Sequence, residues 1–353
     1  MTATPAVSGK AFCVEVLPKV SRTFAVCIRL LPTELEHPVL VAYLLCRIAD
    51  TFEDTTRLSV VERTRLLAHF RGALDDRSST TAPLRDAFEK PQTDEELLVR
   101  EADVVLGEFW ALPLEQQDAI RPWVQEMCTG MAEFVQRARA GERLESLSTV
   151  EELDRYCYYV AGTVGHMLTA LFKVHYGLGN GRRLARLESL ATSFGLGLQL
   201  TNIIKDVSDD QARGWSFVPR QLCETAGIQP EDLQKEEHGP EGRRVMLMLI
   251  DKAKGHLRDA LEYSTTLPRR DSGARQFCLT SLFFAVQTLR LAERDDRLLD
   301  PNHKVKITRG DIFRTVRMTR MVAPSNLLVR LYFRRLAGSA WNNGPTRLGL
   351  TAF

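Results

Sequence analysis

The sequence predicts an all-α protein. Apolar residues recur at three- and four-residue spacing through most of the 353-residue chain, and strand-like alternation bounded by Asn-Gly or Asp-Gly turns is nearly absent. Proline and glycine punctuate the periodic segments. Hydrophobic side chains make up 44% of the chain, enough to bury a sizeable core. No repeat or low-complexity block appears, so one helical domain over residues 1–353 is the simplest organisation.

In chain order, breaks fall at Pro32, at Pro83 and Pro91, at Pro113 and Pro122, from Gly177 to Gly181, from Gly214 to Pro219, from Gly239 to Gly242, and at Pro301. They delimit about eight to ten helices. The stretch Asp75 to Glu96 is polar and Ser/Thr-rich, but too short for an interdomain linker. The helix through Val39, Leu40, Ala42, Leu44, Leu45, Cys46, Ile48 and Ala49 is apolar on nearly every side and therefore buried. Its polar residues Tyr43, Arg47, Asp50 and Asp54 follow at steps of four, three and four, one stripe with Glu53 at its edge. Carboxylates grouped on a core helix repel each other unless a cation neutralises them.

A later helix repeats the device. Phe194, Leu196, Leu198, Leu200, Ile203, Ile204 and Val207 are apolar, while Gln199, Asn202, Asp206, Asp209 and Asp210 lie along another flank. One Asp-x-x-[Asp/Glu]-Asp string is an ordinary acidic helix end. Two, each closing an apolar helix with an aligned polar stripe, point to oxygen ligands for hard cations on opposite walls of a cavity. Mg²⁺ suits them, because it uses few carboxylates and shares substrate phosphates. At the C-terminal end, Asn326 to Leu336 sets Leu327, Leu328, Leu331 and Phe333 among Arg330, Arg334 and Arg335. This is either a peripheral membrane contact or a last core helix with a solvated basic face.

Composition excludes several classes. Lys and Arg total 47 against 45 Asp and Glu, a balance that leaves no footprint for wrapping nucleic acid. Seven scattered cysteines, without a CxxC pair or metal-ligand spacing, read as reduced core residues of a cytosolic protein. No segment reaches the length of a membrane span. A cytoplasmic location, with at most peripheral contact at the inner face of a membrane, is expected.

The motifs resemble those of the squalene and phytoene synthases, head-to-head trans-isoprenoid synthases. Val20-Ser-Arg-Thr-Phe24 is similar to the family's N-terminal element, and Tyr43 to Asp54 to its first aspartate-rich motif. Tyr156-Cys-Tyr-Tyr159-Val-Ala-Gly162 matches the central segment, while Asn202 to Asp210, followed by Arg213-Gly214 and Phe217-Val218-Pro219, matches the second aspartate-rich motif. The resemblance implies an isoprenoid-synthase helical bundle around a central cavity. It implies Mg²⁺ ligands at Asp50, Glu53, Asp54, Asp206, Asp209 and Asp210, and contacts to farnesyl diphosphate from Ser21, Arg22, Arg47, Gln199, Asn202, Lys205 and Arg213. Tyr43, Tyr159 and Arg47 would act on the reacting centre. Gly162 and Gly165 would admit either substrate or a neighbouring helix.

Within the family, squalene synthases reduce the cyclopropylcarbinyl intermediate with NADPH, whereas phytoene and dehydrosqualene synthases lose a proton instead. Lys304-Val-Lys-Ile-Thr-Arg-Gly310 resembles a late basic segment of squalene synthases. The resemblance implies that Lys306 and Arg309, with Arg22, Arg47 and Lys205, hold cofactor phosphates. No G-x-G-x-x-G follows a strand, so a Rossmann site is not the hydride source. Thr308, Lys205, Asp209 and Trp215 depart from the family pattern, and Trp215 leaves Arg213 to supply the contact usually made by an arginine there. A terpene cyclase on this scaffold would keep the acidic motifs; a non-catalytic scaffold protein would be expected to lose carboxylates, and all are present.

Overall fold

The computed structural model describes residues 8–137, 145–269, 271–338 and Trp341. The first half contains α1 (Gly9–Val20), α2 (Arg22–Ile28), α3 (Thr33–Asp54), α4 (Val60–Ala73), α5 (Ala82–Ala87), α6 (Asp94–Arg100), α7 (Ala102–Ala111) and α8 (Leu114–Gln136). The second contains α9 (Val150–Cys157), α10 (Thr163–Tyr176), α11 (Arg182–Ala212), α12 (Arg220–Ala226), α13 (Gly239–Thr266), α14 (Gly273–Arg294), α15 (Arg309–Val322) and α16 (Asn326–Ala337). A π-helical turn, Tyr158–Gly162, joins α9 to α10. The all-α expectation holds; the β structure among the described residues is a two-residue parallel pairing of β1 (Glu145–Ser146) with β2 (Trp215–Ser216).

Helices outnumber the expectation in part because the polar stretch from Asp75 to Glu96 holds α5 and the start of α6, whose Thr93 side chain accepts from the Glu96 amide. Pro122, expected as a break, lies inside α8. Both Pro122 and Asp118, whose carbonyl the proline cannot bond, are exposed, so the missing hydrogen bond falls on the solvent side of the helix. Gly177, at φ +58, ends α10 in the left-handed region, as the glycine cluster there predicts.

Two long helices organise the core. α11 is enclosed by α10, α13, α14 and the π turn, while α3 packs against α1, α4, α6, α7 and α8. Glycine lets α11 meet α10 and the π-helical turn backbone to backbone. A Cβ on Gly165 would lie 2.0 Å from the Ala191 carbonyl oxygen, and one on Gly195 would lie 2.1 Å from that of Ala161. Gly165 therefore admits a neighbouring helix. α3 and α11 are held apart, and a cavity occupies the space between them.

Candidate active site

Tyr43, Arg47, Asp50 and Asp54, the stripe on α3, line that cavity together with Glu53. The facing wall receives Gln199, Asn202, Asp206 and Asp210 from α11 and Arg213 from its C-cap. Steps of three and four keep these positions on one helical face. Beyond the carboxylates, Phe24, Val39, Val164, Leu168, Phe194 and Phe277 make the wall apolar. The cavity measures about 380 Å³, within the range of small-molecule sites.

Burial charges the acidic end with unfavourable energy. It raises Asp50 to about 7, with the neighbouring charge of Asp54 adding to the shift and Arg47 opposing it. Glu53 lies well above the usual carboxylate range because it is buried beside Asp54 and Asp50. Asp54 opens to solvent at the rim, yet the surrounding walls raise its carboxyl too, against the attraction of Arg213, Arg47 and Arg63. Across the cavity, burial lifts Asp210 to about 6 despite its ion pair with Arg213. Four carboxyls are thus held in forms that an added cation would relieve.

Cationic side chains stand among them. Arg47 reaches Glu95 of α6 at 3.1 Å and Asp50 at 3.7 Å, while its Nε is buried without a hydrogen-bond partner. Arg63, from α4, donates through Nε to the Phe52 carbonyl at 3.0 Å and through a second nitrogen to that of Glu53, closing the C-terminal end of α3. Among the described residues, no three His, Cys, Asp or Glu side chains converge to enclose an ion by themselves. An oxygen-only donor set on two walls, raised carboxyls and an unspent Arg47 donor fit Mg²⁺ that completes its shell with a ligand's phosphate oxygens.

The squalene/phytoene synthase family model matches residues 17–311. The chain belongs to the squalene/phytoene synthase family. It is 31% identical over 341 residues to a squalene synthase of Cyberlindnera jadinii, covering 96% of this chain and 74% of that protein. Squalene synthase 1 of Arabidopsis thaliana is 31% identical over 316 residues, 88% of this chain and 72% of that protein. The TcSQS complex with the ligand E5700 superposes with a TM-score of 0.78 at 29% identity, covering 93% of this chain and 91% of that one. This member of the family is a prenyl-transferring enzyme of the squalene synthase type.

The remaining residues assigned by family resemblance fall at different depths. Ser21 caps α2, accepting from the Phe24 amide at 3.3 Å, and its hydroxyl also meets Tyr43, whose phenol burial pushes up to about 12. Arg22 is exposed at the start of α2. Lys205 does not line the cavity; it pairs with Asp206, which does. Asp209, expected as a metal ligand, also stands outside the wall: it is 45% exposed and paired with Lys304 at 2.8 Å. One residue before Asp210, it is turned by about 100° to the solvent edge of the stripe.

Tyr159 is likewise absent from the cavity wall. Its ring lies on α8, where a Cβ on Gly130 would come within 2.0 Å of it. Tyr156, Val160 and Val164, at steps of four, take the wall instead, and the Tyr156 phenol hydrogen-bonds Glu53. That stepping was visible in the sequence. Lys306 and Arg309 are exposed, and neither pairs with an acidic side chain among the described residues. Thr308 serves the fold, because its hydroxyl accepts from the Asp311 amide in a capping box that starts α15. Glu95, Arg63 and Lys304 escaped sequence reasoning because each meets its motif only through the fold. Lys304 alone carried a signal, belonging to the same basic string as Lys306.

Proposed function

We propose that the protein condenses two molecules of farnesyl diphosphate head to head, through presqualene diphosphate, and reduces that intermediate to squalene with NADPH. The observation that carries the reading is the division of one cavity into a carboxylate-lined end with interspersed arginines and a hydrocarbon-lined body. A prenyl diphosphate has the same two parts. Asp50, Glu53, Asp54, Asp206 and Asp210 would hold Mg²⁺, with Asp209 acting from the rim through Lys304. Bound Mg²⁺ would supply charge neutralisation for the departing diphosphate.

The chain's own groups do the rest. Arg47 and Arg213 offer fixed donors to the diphosphate oxygens, where negative charge grows as the allylic carbon–oxygen bond breaks. Ser21, Arg22, Gln199, Asn202 and Lys205 extend this grip around the mouth. Tyr43, held by Ser21 and 5.3 Å from the Phe24 ring, keeps a neutral phenol near the reacting carbons, and its ring face can accompany a carbocation. The aromatic and aliphatic wall keeps water from quenching that cation. Bound NADPH would supply hydride; the exposed cations Lys306 and Arg309, beside the Lys304–Asp209 contact, fit its phosphates.

The test is incubation of purified protein with farnesyl diphosphate and Mg²⁺, with and without NADPH, and mass spectrometry of extracted hydrocarbons. Squalene formed only with NADPH supports the proposal. Dehydrosqualene in both reactions would move the protein to the non-reducing branch, a cyclised C15 product would make it a cyclase, and no turnover would point to longer substrates or to a scaffold.

A further inference from the structure

From Ile312 to Phe353 the chain carries seven arginines and no Asp or Glu, whereas the preceding residues hold 40 basic and 45 acidic side chains. The last acidic residue, Asp311, is engaged at the start of α15, accepting from the Thr308 hydroxyl at 2.7 Å. α15 and α16 pack on each other and on α14. Inward they turn Thr315, Thr319 and Val322, and Val329, Phe333 and Ala337. α16 therefore is a core helix on one side, and its outer side is a separate question.

Outward, α15 presents Phe313 and Met321, 73% and 62% exposed, among Arg317, Arg320 and Arg314, the last of which lies 3.7 Å from Asp311. α16 presents Leu327, Leu328 and Leu331, at 67%, 46% and 50%, among Arg330, Arg334 and Arg335. Ten large hydrophobic residues are exposed among the described residues, and these two helices hold five of them. Single exposed apolar side chains are ordinary, but a group of them in a field of one sign marks a contact surface. A nucleic acid would satisfy the arginines and leave the apolar side chains in water. An anionic bilayer satisfies both, with phosphates at the arginines and acyl chains beneath them.

We propose that the outer faces of α15 and α16 together dock the protein on an anionic lipid surface, lying in the interface without crossing it. No helix among the described residues is long and apolar enough to cross a membrane, so attachment through these elements is interfacial. The proposal is independent of the reaction assigned to the cavity.

Flotation of the full-length protein with vesicles of phosphatidylcholine alone, or mixed with phosphatidylglycerol, tests it at low and high salt. Binding is expected on mixed vesicles only, and weaker in high salt. Arg317→Gln and Arg334→Gln should each cut it about five-fold. Phe313→Ser with Leu327→Ser should cut it at least about ten-fold. These exposed substitutions leave the thermal midpoint and turnover of soluble substrate unchanged, which separates lost docking from lost folding. Equal binding to neutral vesicles, no binding to either, or binding indifferent to the substitutions overturns the proposal. So does concentration-dependent self-association, measured by sedimentation velocity, that the same substitutions abolish; the face would then be covered by a second copy.

Discussion

Replacing Asp50 with Asn should stabilise the metal-free protein while abolishing its chemistry. In the folded chain burial raises the Asp50 carboxyl to about 7 from an ordinary 3.8, net of the opposing attraction of Arg47. At about 1.4 kcal/mol for each pH unit, the ionised carboxylate would cost the fold about 4 kcal/mol. Its side chain keeps 31% of its exposure, so cavity water screens part of that, and about 2 kcal/mol is the working figure. The sign follows from the direction of the shift. A carboxyl raised on folding destabilises above its unfolded pKa, progressively up to its folded one, so the gain in Asp50→Asn is full at pH 8 and vanishes near pH 4. Arg47 retains Glu95 as a partner in the variant. Urea denaturation with chelator at both pH values measures the difference. With Mg²⁺ and pyrophosphate the parent should gain more than the variant, because only the parent offers the full carboxylate set. A variant no more stable than the parent at pH 8 without metal would refute the argument that these carboxylates are held at a cost for a cation.

Three further outcomes are expected. Gly165→Ala forces a methyl onto the Ala191 carbonyl and should destabilise by about 1–3 kcal/mol or more, lowering the thermal midpoint even with ligand bound. Arg63→Met leaves the Phe52 and Glu53 carbonyls without their guanidinium donor and should lose about 2 kcal/mol or more, with hydrogen exchange rising first at the C-terminal turn of α3. Thr308→Arg restores the family's residue but removes the cap of α15; thermal melts should register about 0.5–2 kcal/mol of lost stability, whatever happens to NADPH affinity.

The helices and both acidic stripes are legible in the sequence because they are local facts: three- and four-residue spacing decides which side chains share a face, and buried carboxylates announce themselves on an otherwise apolar helix. The same spacing places Tyr43, Arg47, Asp50, Asp54, Gln199, Asn202, Asp206, Asp209 and Asp210 on two stripes, and the structure lines the cavity with all of them except Asp209. The departures arise where a local rule meets a tertiary circumstance. Pro122 reads locally as a break, but its exposed position lets α8 continue. Asp209 belongs by motif with the metal ligands, but it sits at the rim of the stripe, where Lys304 captures it. Tyr159 follows its motif, but Gly130 leaves a hollow on α8 that receives its ring.

By itself, then, the sequence determined the fold class, the two carboxylate-bearing helices and the family, since each depends on residues near one another in the chain. Tertiary structure decided which charges meet. Glu95 holds Arg47 across 48 positions and Lys304 reaches Asp209 across 95. It also decided that α15 and α16 pack on each other and on α14. Such contacts depend on how helices pack, and packing is set by the shapes of whole helix faces, which no short window of sequence contains.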